Sequence, residues 1–277
     1  MRDNRAMPQM RADTTWRPTP FLQGSAALHV AAVASAAFGP EFWPWALGAL
    51  AANQAAILAG VLLPRSRLLG PNWTRLPEPA AARRTVALTL DDGPDPQVTP
   101  QVLEVLAHYG ARATFFCIGE RAARHPELVR AIVDAGHAVE NHSLRHQHAF
   151  ALFGPRRYLE EVGGAQDTLA SLAGTAPRFF RAPAGLRSPF LDLALTRLGL
   201  QLVSWTRRGY DTRNTEAGDV LARLTRGLAP GDILLLHDGN AARTARGMPV
   251  ALEVLPRLLE TLAAASLRPV TLRAALD

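Results

Sequence analysis

The chain has 277 residues, which suffices for one domain of about 200 residues and an additional segment. Its formal net charge is +6, but the 30 basic residues, all of them arginine, are scattered without a dense run or interleaved aromatic residues, so we expect no nucleic-acid partner. The single cysteine, Cys117, excludes an internal disulfide and a zinc site of several thiolates, so any metal site must use histidine and carboxylate ligands.

The first 64 residues have the composition of a membrane-associated segment. A polar segment, 1–20, is followed by two uncharged apolar stretches, 22–38 and 45–63, on either side of a turn rich in glycine and proline. Each stretch is just long enough for a helix to cross a hydrocarbon core of about 30 Å. Four of the five tryptophans flank these stretches, where aromatic belts form. We therefore predict two hydrophobic, membrane-associated helices within 21–64; a soluble or surface-lying alanine-rich hairpin is the alternative.

Arginines lie before the first apolar stretch and after the second, whereas the turn between them has none. The positive-inside rule then favours a hairpin with both ends in the cytoplasm. If only one stretch spans the bilayer, the rest of the chain would lie on the opposite side, so the side stays open. The arginines concerned are Arg2, Arg5, Arg11, Arg17, Arg65, Arg67 and Arg75.

Prolines and an alanine run predict a linker at 65–83, and the remainder, 84–277, alternates strands with helices. Strands are predicted at 86–90, 113–118, 137–140, 179–181, 200–205, 232–236 and 269–272. Helices are predicted at 99–110, 126–135, 156–172, 188–199, 217–228 and 251–265, the last with a kink or break at Pro256. Such alternation is typical of an α/β fold with a parallel sheet.

Polar clusters come directly after the predicted strands. In a barrel of parallel strands, the carboxyl ends lie on one face, which is where barrel active sites form. We therefore expect these clusters to meet in one site. They are Asp91-Asp92, 140–148, 181–185, 208–212 and His237-Asp238.

Two of these clusters have the residue types of a metal site. Asp91 and Asp92 end an apolar strand, where a buried carboxylate needs a cation, an arginine or water. His142 and His146 are four residues apart, so on one helical turn they would face the same side. Together with Asp92 they would give two imidazoles and one carboxylate, a recurrent catalytic zinc arrangement. A solvated turn and a surface histidine pair remain the alternatives.

Taken together, the clusters resemble the motifs of the polysaccharide deacetylase family, the NodB-homology enzymes of carbohydrate esterase family 4. The first family motif is present as Thr-Leu-Asp-Asp-Gly-Pro at 89–94 and the second as Asn-His-Ser-Leu-Arg-His at 141–146. The third is present as Arg-Ala-Pro-Ala-Gly at 181–185 and the fifth as Leu-Leu-Leu-His-Asp at 234–238. The resemblance implies that 84–277 is a NodB-homology domain, an α/β fold forming a distorted or incomplete (β/α) barrel, preceded here by the hydrophobic helical hairpin.

The resemblance also implies a function for each site residue. Family members hydrolyse N-acetyl, or less often O-acetyl, groups on sugars with a divalent metal, for which zinc is the expected ion. Asp91 would be the general base, paired with Arg181, and His237 the general acid, oriented by Asp211. The implied metal ligands are Asp92, His142 and His146.

The fourth family motif, Asp-x-x-Asp-Trp, is altered in this chain. Arg208 replaces its first acid and Thr212 its tryptophan, while Ala184 replaces the aromatic residue of the third motif. Ala184 keeps the backbone N–H that would stabilise an oxyanion, but it offers no surface for sugar stacking. Leu235 and Trp205 would line the acyl pocket, or serve only as core. The substrate-binding residues that we predict are Ala184, Leu235, Trp205 and Arg208.

These departures bear on the substrate. Fewer aromatic residues disfavour a long neutral polymer, and arginines at 187, 207 and 208 point to an anionic one, such as a lipid-linked sugar phosphate. We therefore predict a metal-dependent hydrolase that removes an N-acyl group from a carbohydrate or glycolipid, attached to a bacterial inner membrane through its hairpin. Another C–N hydrolase, such as a deformylase or small-amide amidohydrolase, and a non-catalytic carbohydrate-binding member are the alternatives.

Overall fold

A computed structural model describes residues 15–276. Arg2, Arg5 and Arg11, on which the predicted orientation of the hairpin partly depends, lie outside the described residues. Ten α-helices and eight strands occur within 15–276. The helices are α1 (Pro20–Phe38), α2 (Trp43–Leu62), α3 (Glu78–Ala82), α4 (Thr99–His108), α5 (Gly119–Arg124), α6 (Pro126–Asp134), α7 (Pro155–Ala173), α8 (Leu191–Arg197), α9 (Ala217–Thr225) and α10 (Val250–Ala264). The strands are β1 (Thr85–Asp91), β2 (Thr114–Cys117), β3 (Ala138–Asn141), β4 (Phe179–Phe180), β5 (Gln201–Leu202), β6 (Arg207–Arg208), β7 (Ile233–His237) and β8 (Arg268–Val270).

The strands form one curved parallel sheet in the order β5-β4-β3-β2-β1-β7-β6, and β8 pairs with the first residues of β1. Every residue of β1 is buried, as expected for a parallel strand that is covered on both faces. The register of β1 and β7 places Asp91 beside His237 at their carboxyl ends. The predicted incomplete (β/α) barrel with an N-terminal helical hairpin is confirmed.

The segment 65–83 is not the free linker that its prolines suggested, because it fills the gap between the sheet edges. The Trp73 N–H donates to the Leu202 carbonyl (3.0 Å) and the Leu76 N–H donates to the Gly231 carbonyl (2.8 Å). Both side chains are buried in the core. Backbone N–H and C=O groups at the open edges of the sheet would otherwise lack hydrogen-bond partners. The segment 65–83 therefore closes the gap that the strands leave in the barrel.

The helices differ from prediction at three places. The short helix α3 lies within 65–83, where no helix was predicted. Pro256 lies within one continuous helix, α10, whose inner face is a row of buried leucines and valines that holds it to the sheet. The short helix α5 was not predicted, because it begins at Gly119 and has too few residues for a clear apolar period.

The hairpin formed by α1 and α2 is apolar on its outer surface. Val33 is 72% exposed, Phe38 92% and Trp45 79%, far more than is usual for such side chains in a water-soluble fold. Both helices are long and apolar enough to cross a membrane by length and composition, which is weak evidence of membrane association. The two helices are joined by a hydrogen bond from Asn53 Nδ2 to Ser25 Oγ (2.9 Å).

Glu140 ties the end of the chain to the sheet. Its Oε2 accepts from the backbone N–H groups of Arg178 and Phe179 (2.7 and 2.8 Å), and its Oε1 accepts from Arg273 Nε (2.6 Å). Burial raises the pKa of Glu140, while the Arg273 charge opposes that rise. The carboxylate therefore fixes the register at the start of β4, which two residues of pairing alone would leave weak.

Replacing Glu140 with Gln is expected to lower the free energy of unfolding by about 3 kcal/mol, the lower end for breaking a buried pair, because Arg273 keeps some contact with water. Urea unfolding followed by tryptophan fluorescence would measure the loss. Glu104→Gln on the exposed face of α4 is the matched control. A Glu140→Gln protein as stable as the control would contradict the structural role of this carboxylate.

Candidate active site

A cavity of about 600 Å³ opens at the carboxyl ends of the central strands. Both Asp91 and His237 line it, so the proposed base and acid face the same space. Arg181 and Asp211 lie behind the wall and contact Asp91 and His237. The other predicted site residues on the wall are Asp92, His142, His146, Ala184, Trp205, Arg208 and Leu235.

The turn after β1 separates the two aspartates. Asp91 is the last residue of the strand, and Asp92 adopts a left-handed conformation with φ 70°, which sends the two carboxylates to different neighbours. Gly93 must lack a side chain, because a Cβ there would lie 2.1 Å from Asp238 Oδ2. Asp238 itself accepts from Thr99 Oγ1 (2.6 Å), and burial raises its pKa to about 7. The glycine that follows the two aspartates is thus required by close packing.

The two histidines come together through a loop, so our prediction of a helical turn at 142–146 was wrong. His142 follows β3 directly, and Ser143 and His146 have φ values of 66° and 53°. The His146 N–H donates to Ser143 Oγ (3.0 Å), which fixes the loop. The ring centroids are 4.9 Å apart. A spacing of four residues brings side chains together in a helix, but a tight loop with two left-handed residues does the same.

Asp92, His142 and His146 offer ligand atoms that all lie within 4.8 Å of one another. Asp92 Oδ1 is 3.1 Å from Nε2 of each histidine. His142 Nδ1 is 2.8 Å from the Arg181 carbonyl, which can only accept, so in the neutral ring the Nε2 lone pair faces the carboxylate. A cation at this point, either a proton on the imidazole or a metal ion, removes the repulsion between two such acceptors. The donor set therefore fits a divalent metal, with a carbonyl fixing one imidazole as in many metal sites.

The electrostatics of Asp92 agree with a cation site. Burial would raise its pKa, but the contacts with His142 and His146 lower it well below the ordinary value, so the carboxylate is ionised at neutral pH. Asp92 Oδ2 also accepts from Asn240 Nδ2 (3.0 Å).

Asp91 is held by a buried guanidinium. Arg181 Nη1 donates to Asp91 Oδ1 (2.6 Å) and to Thr89 Oγ1 (2.8 Å), and Nη2 donates to the Ser204 carbonyl (3.0 Å). Burial lowers the pKa of Arg181, and the Asp91 charge opposes that change. The guanidinium also packs 4.1 Å from the centre of the Phe116 ring. Arg181 therefore fixes one oxygen of Asp91.

His237 is held in one orientation by Asp211. The Asp211 carboxylate accepts from His237 Nδ1 and from the His237 backbone N–H, both at 2.8 Å. Two opposing effects act on the pKa of His237: burial lowers it, but the carboxylates of Asp211, Asp91 and Asp92 together outweigh burial, so the net shift is upward from 6.5. With Nδ1 bonded to Asp211, Nε2 is the ring nitrogen free to serve the cavity.

Two further residues near Asp92 were missed by sequence reasoning. Arg121 donates from Nη1 to the Asp92 carbonyl and from Nη2 to Asn240 Oδ1, both at 2.8 Å. Gly239 leaves room for this bridge, since a Cβ there would lie 2.3 Å from the Asp92 carbonyl oxygen. The sequence indicates these two residues only through the Gly-Asn pair directly after His237-Asp238, and that pair by itself predicts an ordinary turn.

The predicted substrate-binding residues all line the cavity. Ala184 is exposed with φ 53°, while Leu235 and Trp205 are 1% and 7% exposed and form its apolar wall. The Arg208 guanidinium lies 5.1 Å from the centre of the Trp205 ring and 5.0 Å from that of Tyr210.

Two of the three arginines that pointed to an anionic substrate are engaged elsewhere. Arg187 is buried, its pKa is lowered to about 10 by burial, and it donates to the Ser66 carbonyl. Arg207 pairs with the buried Asp232. Of the three, Arg208 alone lines the cavity.

Residues 79–203 match the model of the family described as polysaccharide deacetylase. A chitooligosaccharide deacetylase of Bradyrhizobium sp. (strain ANU 289) is 37% identical over 157 residues, which cover 56% of this chain and 71% of that protein. A peptidoglycan-N-acetylglucosamine deacetylase of Bacillus cereus is 33% identical over 177 residues, covering 63% of this chain and 82% of that protein.

Among solved structures, the chain is similar to a family 4 carbohydrate esterase from Streptomyces lividans in complex with acetate. The TM-score is 0.60 at 34% identity, and the match covers 67% of this chain and 91% of that chain. The uncovered part of this chain is large enough to include the hairpin.

Proposed function

The chain belongs to the polysaccharide deacetylase family and is a carbohydrate deacetylase, and we propose that it cleaves N-acetyl groups from an amino sugar with Asp91 as base and His237 as acid. One observation carries these roles. Asp91 and His237 are register partners at adjacent strand ends and line the cavity that also contains the Asp92, His142 and His146 donor set. A proton acceptor and a proton donor thus lie beside one cation site, as amide hydrolysis requires.

We assign the cation to Asp92, His142 and His146 and expect it to be zinc, since two imidazoles and one carboxylate with a free position form a common catalytic zinc set. When bound, such an ion lowers the pKa of a water molecule and polarises the acetyl carbonyl. Asp91 accepts the water proton as the new C–O bond forms. Its position depends on Arg181, which occupies one carboxylate oxygen and leaves Oδ2 for the proton.

The second half of the reaction uses the opposite side of the cavity. The backbone N–H of Ala184, in the left-handed turn of the third motif, donates to the oxyanion. His237 gives the proton of Nε2 to the amide nitrogen as the C–N bond breaks, which releases acetate and the amine. Asp211 stabilises the charged ring before this transfer. Leu235 and Trp205 form the wall against which the acetyl methyl packs.

Metal analysis of the purified full chain, combined with an acetate-release screen on N-acetylated sugars, tests this function. We expect bound metal and acetate release that is lost with a chelator and restored by Zn²⁺ or Co²⁺. The same screen includes N-formyl sugars and small linear or cyclic amides, because the scaffold would also serve a deformylase or amidohydrolase. A chain that binds no metal and releases no acid from any of these substrates would support a non-catalytic carbohydrate-binding role.

Asn240→Ala is expected to weaken metal binding by about tenfold, because second-layer partners of metal ligands typically contribute that much and Asn240 fixes Asp92 Oδ2. The measurement is competition with a chromophoric chelator, which needs no activity. Arg246→Ala, on the same loop and exposed, is the matched control. Equal affinities for zinc in the two variants would show that Asn240 does not position the ligand.

We further propose that α1 and α2 insert into a bilayer and anchor the catalytic domain. The exposed apolar surface of the hairpin and the lengths of its helices support this. Asn53 bonds to the buried Ser25 between the helices, and the exposed Gln54 and His29 bond to each other, so each polar group has a partner within the hairpin. The full chain is then expected to stay with membranes after a carbonate wash, and release by the wash would contradict insertion. Accessibility of tags at each end would give the side.

A further inference from the structure

The end of the hairpin packs against the rim of the catalytic cavity. The Pro64 carbonyl accepts from Ser204 Oγ (2.6 Å) and from Asn72 Nδ2 (2.9 Å). Pro64 also packs on Gly185 of the third motif, where a Cβ would lie 2.6 Å from Pro64 Cβ. The chain that leaves α2 is therefore fixed directly against a loop of the active site.

A second cavity of about 560 Å³ lies at this junction. It shares Trp205 and Arg208 with the catalytic cavity, so the two spaces adjoin across these side chains. Leu63, directly after α2, also lines this cavity. The catalytic cavity and the base of the apolar hairpin are therefore neighbours. We call this second cavity the junction groove.

The junction groove is positively charged. The described residues that line it include two arginines, Arg65 and Arg208, and no carboxylate. Arg208 stacks on two aromatic rings, and its buried Nε has no hydrogen-bond partner among the described residues. Arg65 is exposed, and its one hydrogen bond given by the structure runs from Nη1 to the Thr206 carbonyl at 3.3 Å. Planar guanidinium groups with free N–H donors favour a phosphate.

The groove is also apolar at its membrane end. Leu62 and Leu63 are 53% and 59% exposed at the point where α2 ends. A soluble sugar phosphate would use the arginines but would gain nothing from the apolar surface beside them. A phosphate that carries a lipid chain would use both, since the chain could continue along α2 into the bilayer.

We propose, on the basis of the function proposed above, that the substrate is an N-acetylated amino sugar joined through phosphate to a membrane lipid. Its acetamido group lies between Asp91 and His237, and its phosphate lies between Arg65 and Arg208. The lipid chain follows the apolar surface of the hairpin. The replacement of the first acid of the fourth motif by Arg208 then has a physical reason, because a carboxylate there would repel the phosphate.

The test uses the full chain in lipid nanodiscs and compares three probes: a long-chain alkyl phosphate of N-acetylglucosamine, N-acetylglucosamine 1-phosphate and chitotetraose. We expect the highest kcat/KM for the lipid-linked probe. Arg65→Gln and Arg208→Gln should each lower the preference for that probe over chitotetraose by about tenfold, the value of one charge-assisted hydrogen bond, and the change should appear in KM. Arg67→Gln, exposed and outside the groove, is the matched control.

The outcomes separate this proposal from the function on which it rests. If none of the probes is deacetylated by the metal-loaded protein, the proposed function fails. If chitotetraose is preferred and Arg65→Gln behaves like Arg67→Gln, the lipid phosphate substrate is rejected while deacetylation stands. Equal rates for the lipid-linked and soluble phosphates would also reject the lipid. Arg65 is exposed, so its replacement keeps the test valid even if Arg208→Gln fails to fold.

Discussion

Replacing Asp91 with Asn is expected to lower kcat for deacetylation by about 10³-fold, within the range attributed to general acid–base catalysis. The amide of Asn cannot accept the water proton, whereas the ligands Asp92, His142 and His146 are unchanged. The metal content should therefore remain that of the wild type, and metal analysis beside steady-state kinetics would show it. Asp134→Asn, exposed at the end of α6, is the control.

The same substitution is expected to cost stability, because Arg181 is fully buried and Asp91 is its only carboxylate partner among the described ion pairs. We expect Asp91→Asn to lower the free energy of unfolding by about 3 kcal/mol, because the buried Arg181 charge then keeps only neutral hydrogen-bond acceptors. Arg181→Met should destabilise as well, since it leaves the Asp91 carboxylate buried without a cation. In the double variant the two costs should not add, and the difference from additivity measures the pair. If the losses of unfolding free energy in the two single variants add fully in the double variant, Asp91 and Arg181 are not coupled, and the ion pair does not position Asp91.

Much of this site was predictable because its chemistry lies at strand ends. Asp91 and His237 each follow an apolar run, and parallel strands bring their carboxyl ends to one face whatever the order of the strands. The residue types therefore predicted a possible cation site, and the family resemblance added the acid and the base. The order of the strands, with β1 between β2 and β7, could not be read from the apolar runs, which resemble one another.

The parts that sequence could not give depend on contacts between distant segments. The proline content of 65–83 predicted a linker and carried no sign that Trp73 would fill the gap beside β5. Likewise, Arg187, Arg207 and Arg208 look equivalent in sequence. Only the fold pairs Arg207 with Asp232, buries Arg187 against Ser66 and leaves Arg208 at the cavity.

Replacing His237 with Ala is expected to lower kcat for an N-acetyl sugar by about 10³-fold, the upper part of the usual contribution of a general acid. The amine is a poor leaving group and needs the proton, whereas 4-nitrophenolate leaves without one. Hydrolysis of 4-nitrophenyl acetate by His237→Ala should therefore remain near the wild-type rate, while Asp91→Asn should lose both activities. Equal loss of both substrates in His237→Ala would show that this histidine does not act as the acid.

The pH profile tests the same assignment through Asp211. Burial lowers the pKa of His237, but Asp211, Asp91 and Asp92 together raise it by more, with Asp211 the strongest of the three, so the ring stays protonated to higher pH than an ordinary histidine. Since the protonated ring is the acid, deacetylation declines as the pH rises through this pKa. Asp211→Asn removes the raising charge, so the declining limb of kcat should move to lower pH, while 4-nitrophenyl acetate hydrolysis should show no such shift. If the declining limb of Asp211→Asn stays at the wild-type pH, a group other than His237 causes the alkaline loss of activity.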